Sequence, residues 1–367
     1  MLAYYEAYTN SCKDKTIIIN FGKRESPLIN KSNFECINII FNKWTFLKQL
    51  FKALSLTNKY NIKNIISFDS HAYLIARILG LLNNKIKVTN ILCGGPNPKK
   101  YYPYSTKQIL ITKENFDYFF LKRKMKNPRI FYIPNRIYSL HQNKILIEEI
   151  KSKYNLENKK VFLKISRLCS YYKNSIFQAI NFVDAINSQN YILVLIGNVE
   201  DKKLYEEISN NKNVVIIDER NITSQANKII DICDFYIGTG RGIMEAASLG
   251  KILFVPNKAS KYPLLLDENN FEVAFNYNFS ERIDIDINDK EYIQNINNIL
   301  QDQVQTEKLV KLSLNKFYQY FNIMNVINDL IEIINKNNYE GSITYRLKYI
   351  YDLINHFLRT LKASLID

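Results

Sequence analysis

Asp234 to Lys251 reads DFYIGTGRGIMEAASLGK, with Gly238, Gly240 and Gly242 inside five residues and Thr239 and Arg241 between them. The apolar run Phe235-Tyr236-Ile237 reads as a buried strand. Ile243 to Leu249 has helical character and stops at Gly250, which suits a C-terminal cap. At a strand–loop–helix junction the first helical amides point outward without intrahelical partners, and the helix dipole adds partial positive charge. Phosphate or diphosphate suits such a place. Arg241 stands at its mouth, and Glu245, about one turn in, offers a carboxylate to ribose hydroxyls. The same glycines equally suit a turn that only lets a helix lie close on a strand.

Further up the chain, Phe162 to Ile165 runs as a strand into Ser166-Arg167-Leu168, and Lys173 opens an apolar-periodic helix. Departure of a nucleoside diphosphate builds negative charge on its oxygens. Fixed cations and N–H groups that meet this charge act more strongly in the transition state than in the ground state. Arg167 and Lys173 could supply such cations, or be two solvated charges at a loop. The three histidines, His71, His141 and His356, are not at metal-ligand spacing. His71 follows Asp69-Ser70 at a strand end, where it reads either as an acceptor-side group or as a bystander to helix capping. Lys122, Arg123, Lys124 and Lys126 follow Phe116, Tyr118, Phe119 and Phe120, and Lys99-Lys100 precede Tyr101-Tyr102. Cations beside aromatic rings suit an anionic bilayer, single-stranded nucleic acid, or an ordinary solvated face.

These groups need a scaffold, and the pattern supplies one. Short apolar runs alternate with amphipathic stretches: strands at Thr16–Phe21, Cys36–Ile40, Asn64–Phe68, Lys87–Leu92, Gln108–Thr112 and Arg129–Ile133, with helices at Lys43–Leu56, Ala72–Leu82 and Glu114–Lys124. After Ile133-Pro134-Asn135-Arg136 and a helix at Lys144–Tyr154 the alternation resumes, through strands at Val161–Ile165, Tyr191–Ile196, Val214–Ile217, Asp234–Ile237 and Ile252–Val255. Helices are expected between them, including Thr223–Ile232. This predicts an α/β chain of two doubly wound units facing a cleft. The domains expected are 1–142, 143–337 and a C-terminal amphipathic helix, 338–367. That last helix repeats Ile343, Leu347, Ile350, Ile354, Phe357, Leu361 and Leu365 at spacings of three and four. It suits a membrane interface, packing on the protein, or a homodimer.

The chain has 367 residues, 47% hydrophobic and 23% charged, which is a globular composition. Five scattered cysteines without a CxxC imply a reduced, cytoplasmic protein with no cysteine zinc site. No apolar run reaches the roughly 18 residues of a membrane span. The net charge is +15, and residues 1–142 carry all of it: 23 Lys/Arg against 7 Asp/Glu, with 27 against 28 in the remainder. A basic first domain attracts an anionic surface or substrate, although abundant lysine with asparagine and isoleucine also follows from an AT-rich genome.

SRLCSYYKNS (166–175), LVLIGNVED (193–201), GTGRGIMEAASLGK (238–251) and IPNRI (133–137) occur in the order and spacing of glycosyltransferase family 4, which the chain resembles over most of residues 60–335. The resemblance implies the GT-B fold of two Rossmann-like domains and transfer with retention at the sugar. By it, Arg167 and Lys173 hold the donor diphosphate as electrophilic catalysts. Gly238 and Thr239 lead into Gly240, Arg241, Gly242, Ile243 and Met244, whose amides serve phosphate and sugar. Glu245 binds the ribose, and residues around Asp218 and Glu219 border the base. Ile237 stands where the family commonly has a second glutamate, and Cys93-Gly94-Gly95 stands where related enzymes show His-Gly. No metal or other cofactor is implied. The expectation is a glycosyltransferase, peripheral on the inner face of the cell membrane, that moves a UDP-linked sugar to a lipid-linked acceptor in cell-envelope glycan synthesis. Nucleic acid is not an expected partner. The alternatives are a catalytically altered nucleotide-binding membrane partner and a GT-B epimerase or phosphorylase.

Overall fold

The computed structural model describes the chain except residues 1, 13–14, 23–34, 41–45, 94–102, 104, 126–128, 187–189, 339–342 and 364–367. It divides into two compact units, Met1–Pro134 with Ile323–Asp367, and Asn135–Asn322.

Among the described residues the first unit holds two parallel sheets. Strands β1 (Ile18–Gly22) and β2 (Cys36–Ile40) pair alone, while β3 (Asn64–Ser67), β4 (Lys87–Leu92), β5 (Gln108–Leu110) and β6 (Ile130–Tyr132) lie side by side in chain order. A cavity of about 570 Å³ is lined by both β1 and β3, with Tyr4, Tyr8 and Ala53 among its walls. A helix at Leu2–Ser11, which the sequence pattern did not announce, carries those tyrosines.

The expected placing of residues 323–337 with the second domain is corrected. The helix Ile327–Asn335 buries Ile327, Leu330, Ile333 and Ile334 in the first unit. The buried Lys107 amine donates to the Ile334 and Lys336 carbonyls at 2.8 and 2.6 Å, capping the helix end, and Asn338 accepts from the Val88 amide at 2.9 Å. An apolar face every three to four residues says that a helix covers a sheet, not which one. The final helix, Ile343–Ala363, also stays with the first unit, on the helix Ser70–Leu82. There Arg77 is fully buried, pairs with Asp352 at 3.0 Å, donates to the Tyr349 carbonyl at 2.9 Å and stacks on the Tyr349 ring.

In the second unit β7 (Lys160–Ile165), β8 (Tyr191–Ile196), β9 (Val214–Ile217), β10 (Phe235–Ile237), β11 (Ile252–Val255) and β12 (Leu264–Leu265) form one sheet in the order β12-β11-β10-β7-β8-β9, parallel except for β12. Alternate residues enter two cores. Phe162 meets Phe182, Phe235 and Phe254 on one face, while Val161 and Leu163 join Tyr236 and Val255 on the other. This two-sided burial is what a covered parallel sheet requires. The long helix expected at 223–232 is instead a short helix, Arg220–Thr223, followed by two 3-10 turns.

Candidate functional site

Strand order sets the position of the site. The chain steps outward from β7 to β8 and β9, then returns to lay β10 against the other side of β7, with Phe235 opposite Phe162 and Tyr236 opposite Leu163. At such a reversal the loops leaving the two neighbouring strands part in opposite directions and open a crevice beyond their C-terminal ends. Those loops are Ser166-Arg167 after β7 and Gly238-Thr239 after β10. Both stretches singled out from the sequence therefore come to one place within one unit.

The glycines are explained from below. A Cβ at Gly238 would sit 2.4 Å from Tyr236 Cε1, and one at Gly242 would sit 2.3 Å from Tyr236 Oη. Gly240 has φ +50. Close packing of helix on strand, the alternative open at the sequence level, accounts for two of the three, and a left-handed turn for the third. Their amides are also engaged within the protein: Gly238 donates to the Phe254 carbonyl at 3.0 Å, Gly240 to Phe279 at 3.4 Å and Gly242 to Thr239 at 3.1 Å. The expectation that the glycine amides themselves face a ligand is corrected accordingly.

The residues between them remain. Thr239 is the N-cap of the helix Gly240–Ala247 and makes no side-chain capping bond. Among the described residues the Thr239 and Arg241 amides have no partner. An uncapped helix start with open amides and a free hydroxyl is suited to an anion. Ile243 and Met244 are buried and act as core. Arg241 Nε bonds Glu245 Oε1 at 2.6 Å, with the arginine half-exposed and the glutamate buried. Burial pushes the Glu245 carboxyl up, while the arginine beside it pulls the other way.

The two cations after β7 are held on the β8 side. A Cβ at Gly197 would lie 1.9 Å from the Ser166 carbonyl oxygen, so glycine alone lets the two loops run together, and Leu168 bridges Val199. Arg167 pairs with Glu200 at 3.2 Å and lies over the Tyr172 ring. Lys173 pairs with Glu207 at 2.9 Å. All four side chains are about half exposed, so water and salt screen both pairs and they hold weakly. A doubly charged ligand can therefore displace them. Among the described residues no bond joins either cation to the turn after β10.

Glu219 accepts from Lys153 at 2.7 Å and from Tyr154 at 2.6 Å, which holds its carboxyl below the ordinary range; Asp218 is exposed at the end of β9. His71 is exposed at the start of Ser70–Leu82, where Asp69 caps the helix by accepting from the Ala72 amide at 2.8 Å. Cys93 is exposed directly after β4. Gly94, Gly95, Lys99, Lys100 and Lys126 lie outside the described residues. Lys122 and Lys124 are exposed, and Arg123 lies over the Phe119 ring. Among the described residues no group of three or more His, Cys, Asp or Glu is placed to hold a metal.

Sequence reasoning missed three features. Tyr236, fully buried, shapes the glycine loop. Asn278 and the buried Phe279 both have positive φ, 51 and 53, and the Phe279 carbonyl takes the Gly240 amide; nothing in Asn-Phe announces two left-handed residues. Lys164 is buried in β7, and burial brings its amine down to about 8 despite the opposing pull of Glu281. A lysine inside an apolar strand was a readable signal. Glu281 itself lines a pocket of about 320 Å³ beside the helix Lys173–Ile186.

No family model matches the chain, and no curated protein matches it by sequence. Solved structures do match in fold. A glycosyltransferase from Rickettsia africae aligns with a TM-score of 0.67 at 15% identity, over 93% of this chain and 94% of that one. HepE from Anabaena, solved with UDP, aligns at 0.61 and 13% identity, over 86% and 99%. The UDP-GlcNAc 2-epimerase of Neisseria meningitidis, bound to UDP-GlcNAc, aligns at 0.58 and 13% identity, over 92% and 96%. The fold is thus GT-B, shared with glycosyltransferases and with enzymes of UDP-sugars.

Proposed function

We propose that the second unit binds a UDP-linked sugar and that the chain is a retaining, metal-independent glycosyltransferase of the family 4 type. The acceptor in this reading is a lipid-linked glycan of the cell envelope, met at the inner face of the membrane. The observation that carries it is the uncapped Thr239 helix start lying beside the Arg167 loop at the β7/β10 reversal. HepE, solved with UDP and with UDP-glucose, supports the choice of nucleotide.

In this mechanism the diphosphate meets the Thr239 and Arg241 amides. Arg167 and Lys173 leave Glu200 and Glu207 to face the developing charge of the leaving group. Glu245, released from Arg241 by the incoming anion, accepts hydrogen bonds from the ribose. Asp218 and Glu219 border the base, and His71 and Cys93 stand on the acceptor side.

Calorimetry with UDP and a transfer assay test the reading on Arg167→Ala and Glu245→Ala. Each variant is expected to lose transfer by orders of magnitude. If both match the parent, the site is misassigned.

The epimerase likeness favours a second reading, a UDP-sugar epimerase. The scarcity of histidine for acid/base work argues against it. Interconversion of UDP-GlcNAc without any acceptor would establish it. UDP binding without turnover would instead mark a nucleotide-binding partner protein, in line with Ile237 and Cys93.

A further inference from the structure

The helix Ile343–Ala363 is amphipathic twice over. One face packs on Ser70–Leu82 through Tyr349, Asp352 and His356, and Thr360 on that same face is buried. The other carries Ile343, Leu347, Ile350, Ile354 and Leu358, each exposed; Leu347 is 63% and Ile354 53% exposed. At 100° per residue these five fall within roughly 80° of arc, turned away from the packed face. Arg346 borders the stripe on one side, with Lys348 and Arg359 on the other. A neighbouring helix of the same unit, Phe46–Lys59, repeats the device. Leu47 and Phe51 are each 67% exposed with Lys48 and Lys52 beside them, and Phe46 touches the Phe357 ring at 5.1 Å.

An exposed apolar row of this length needs a cover. Charge decides which. The first unit holds 27 Lys/Arg against 12 Asp/Glu, net +15, while the second holds 23 of each. Two copies joined through this face would press two strongly positive units together, which electrostatics opposes. A bilayer with anionic headgroups offers both hydrocarbon for the stripe and negative charge for its flanks.

We propose that the stripe of Ile343–Ala363, with Leu47 and Phe51, is a docking surface that lies in the plane of an anionic membrane. The aliphatic side chains enter the acyl boundary, and the flanking lysines and arginines sit among lipid phosphates. This extends the proposed function by naming the surface that brings the chain to a lipid-linked acceptor. Flotation needs no nucleotide, so its failure and a failure of the donor site are separate results.

The test is flotation of the full chain with vesicles of equal parts phosphatidylglycerol and phosphatidylcholine, against vesicles of phosphatidylcholine alone. Binding to the anionic vesicles, weakened by high salt, is expected. The double variant Leu347→Glu/Ile354→Glu should lose at least about tenfold in vesicle affinity with an unchanged melting temperature, since both positions are exposed. Val304→Glu, an exposed apolar position of the second unit, should bind as the parent does. The proposal is overturned if the parent ignores anionic vesicles or if the double variant binds them equally well. It is also overturned if light scattering shows a parent dimer that the double variant converts to monomer, because the face then belongs to a second copy.

Discussion

The fit of Tyr236 beneath the glycine loop makes a prediction whose sign changes with one atom. Gly242 lies in the helix Gly240–Ala247 at an ordinary helical φ, so its backbone does not require glycine. Alanine in a helix interior is favoured over glycine by about 1 kcal/mol. The obstacle is local: the new methyl would stand 2.3 Å from Tyr236 Oη, on a ring that is fully buried. Forcing such a ring to move costs about 1–3 kcal/mol. Gly242→Ala should therefore destabilise the second unit by up to about 2 kcal/mol net of the propensity gain.

Tyr236→Phe removes the clashing oxygen and leaves Cζ at 3.1 Å, a contact that a shift of a few tenths of an ångström relieves. In that background Gly242→Ala should be neutral or stabilising by up to about 1 kcal/mol. Gly238→Ala is the internal control. Its methyl meets ring carbon Cε1 at 2.4 Å, which phenylalanine keeps, so Tyr236→Phe should not rescue it. Urea denaturation of the three single and two double variants, with hydrogen exchange at β10 and Gly240–Ala247, reads the cycle. Equal costs for Gly242→Ala in both backgrounds would refute the reasoning, and so would rescue of Gly238→Ala.

Burial, reinforced by Arg77 and His71, holds the His356 imidazole down at about 4, against 6.5 for the free side chain. It is neutral when folded, so stability is intact above pH 6.5 and drains as the pH falls towards 4. The loss reaches about 3 kcal/mol there; urea midpoints at pH 7.5 and 4.5 should show a gap that His356→Asn narrows. Arg77→Met removes the 3.0 Å ion pair with the half-buried Asp352 carboxylate and the bond to the Tyr349 carbonyl. A loss of about 3–5 kcal/mol is expected, with limited proteolysis opening first at Ile343–Ala363. Asn278→Gly relieves a φ of 51 and should raise stability by a few tenths of a kcal/mol, seen as a higher melting temperature; a fall would show that the amide side chain holds the corner.

Strand periodicity and glycine spacing made the α/β character, the β7-to-β11 succession and the two loops of the site legible in the sequence. Those features are local: a buried parallel strand is a short apolar run wherever it lies, and a helix start follows its turn. The residues that would do the chemistry were likewise visible as types, Arg167, Lys173, Arg241 and Glu245. The partners of the two cations were not, because Glu200 and Glu207 meet Arg167 and Lys173 only through folding, as the Phe279 carbonyl meets the Gly240 amide.

Sequence by itself determined that two α/β units follow one another, that the first is basic, and that the final helix carries repeating apolar residues. Tertiary structure alone decided that residues 323–367 return to the first unit, that Gly238 and Gly242 answer to a tyrosine ring, and that Gly240 answers to a left-handed turn. Periodicity records how often a side chain needs cover, and only the fold decides what provides it.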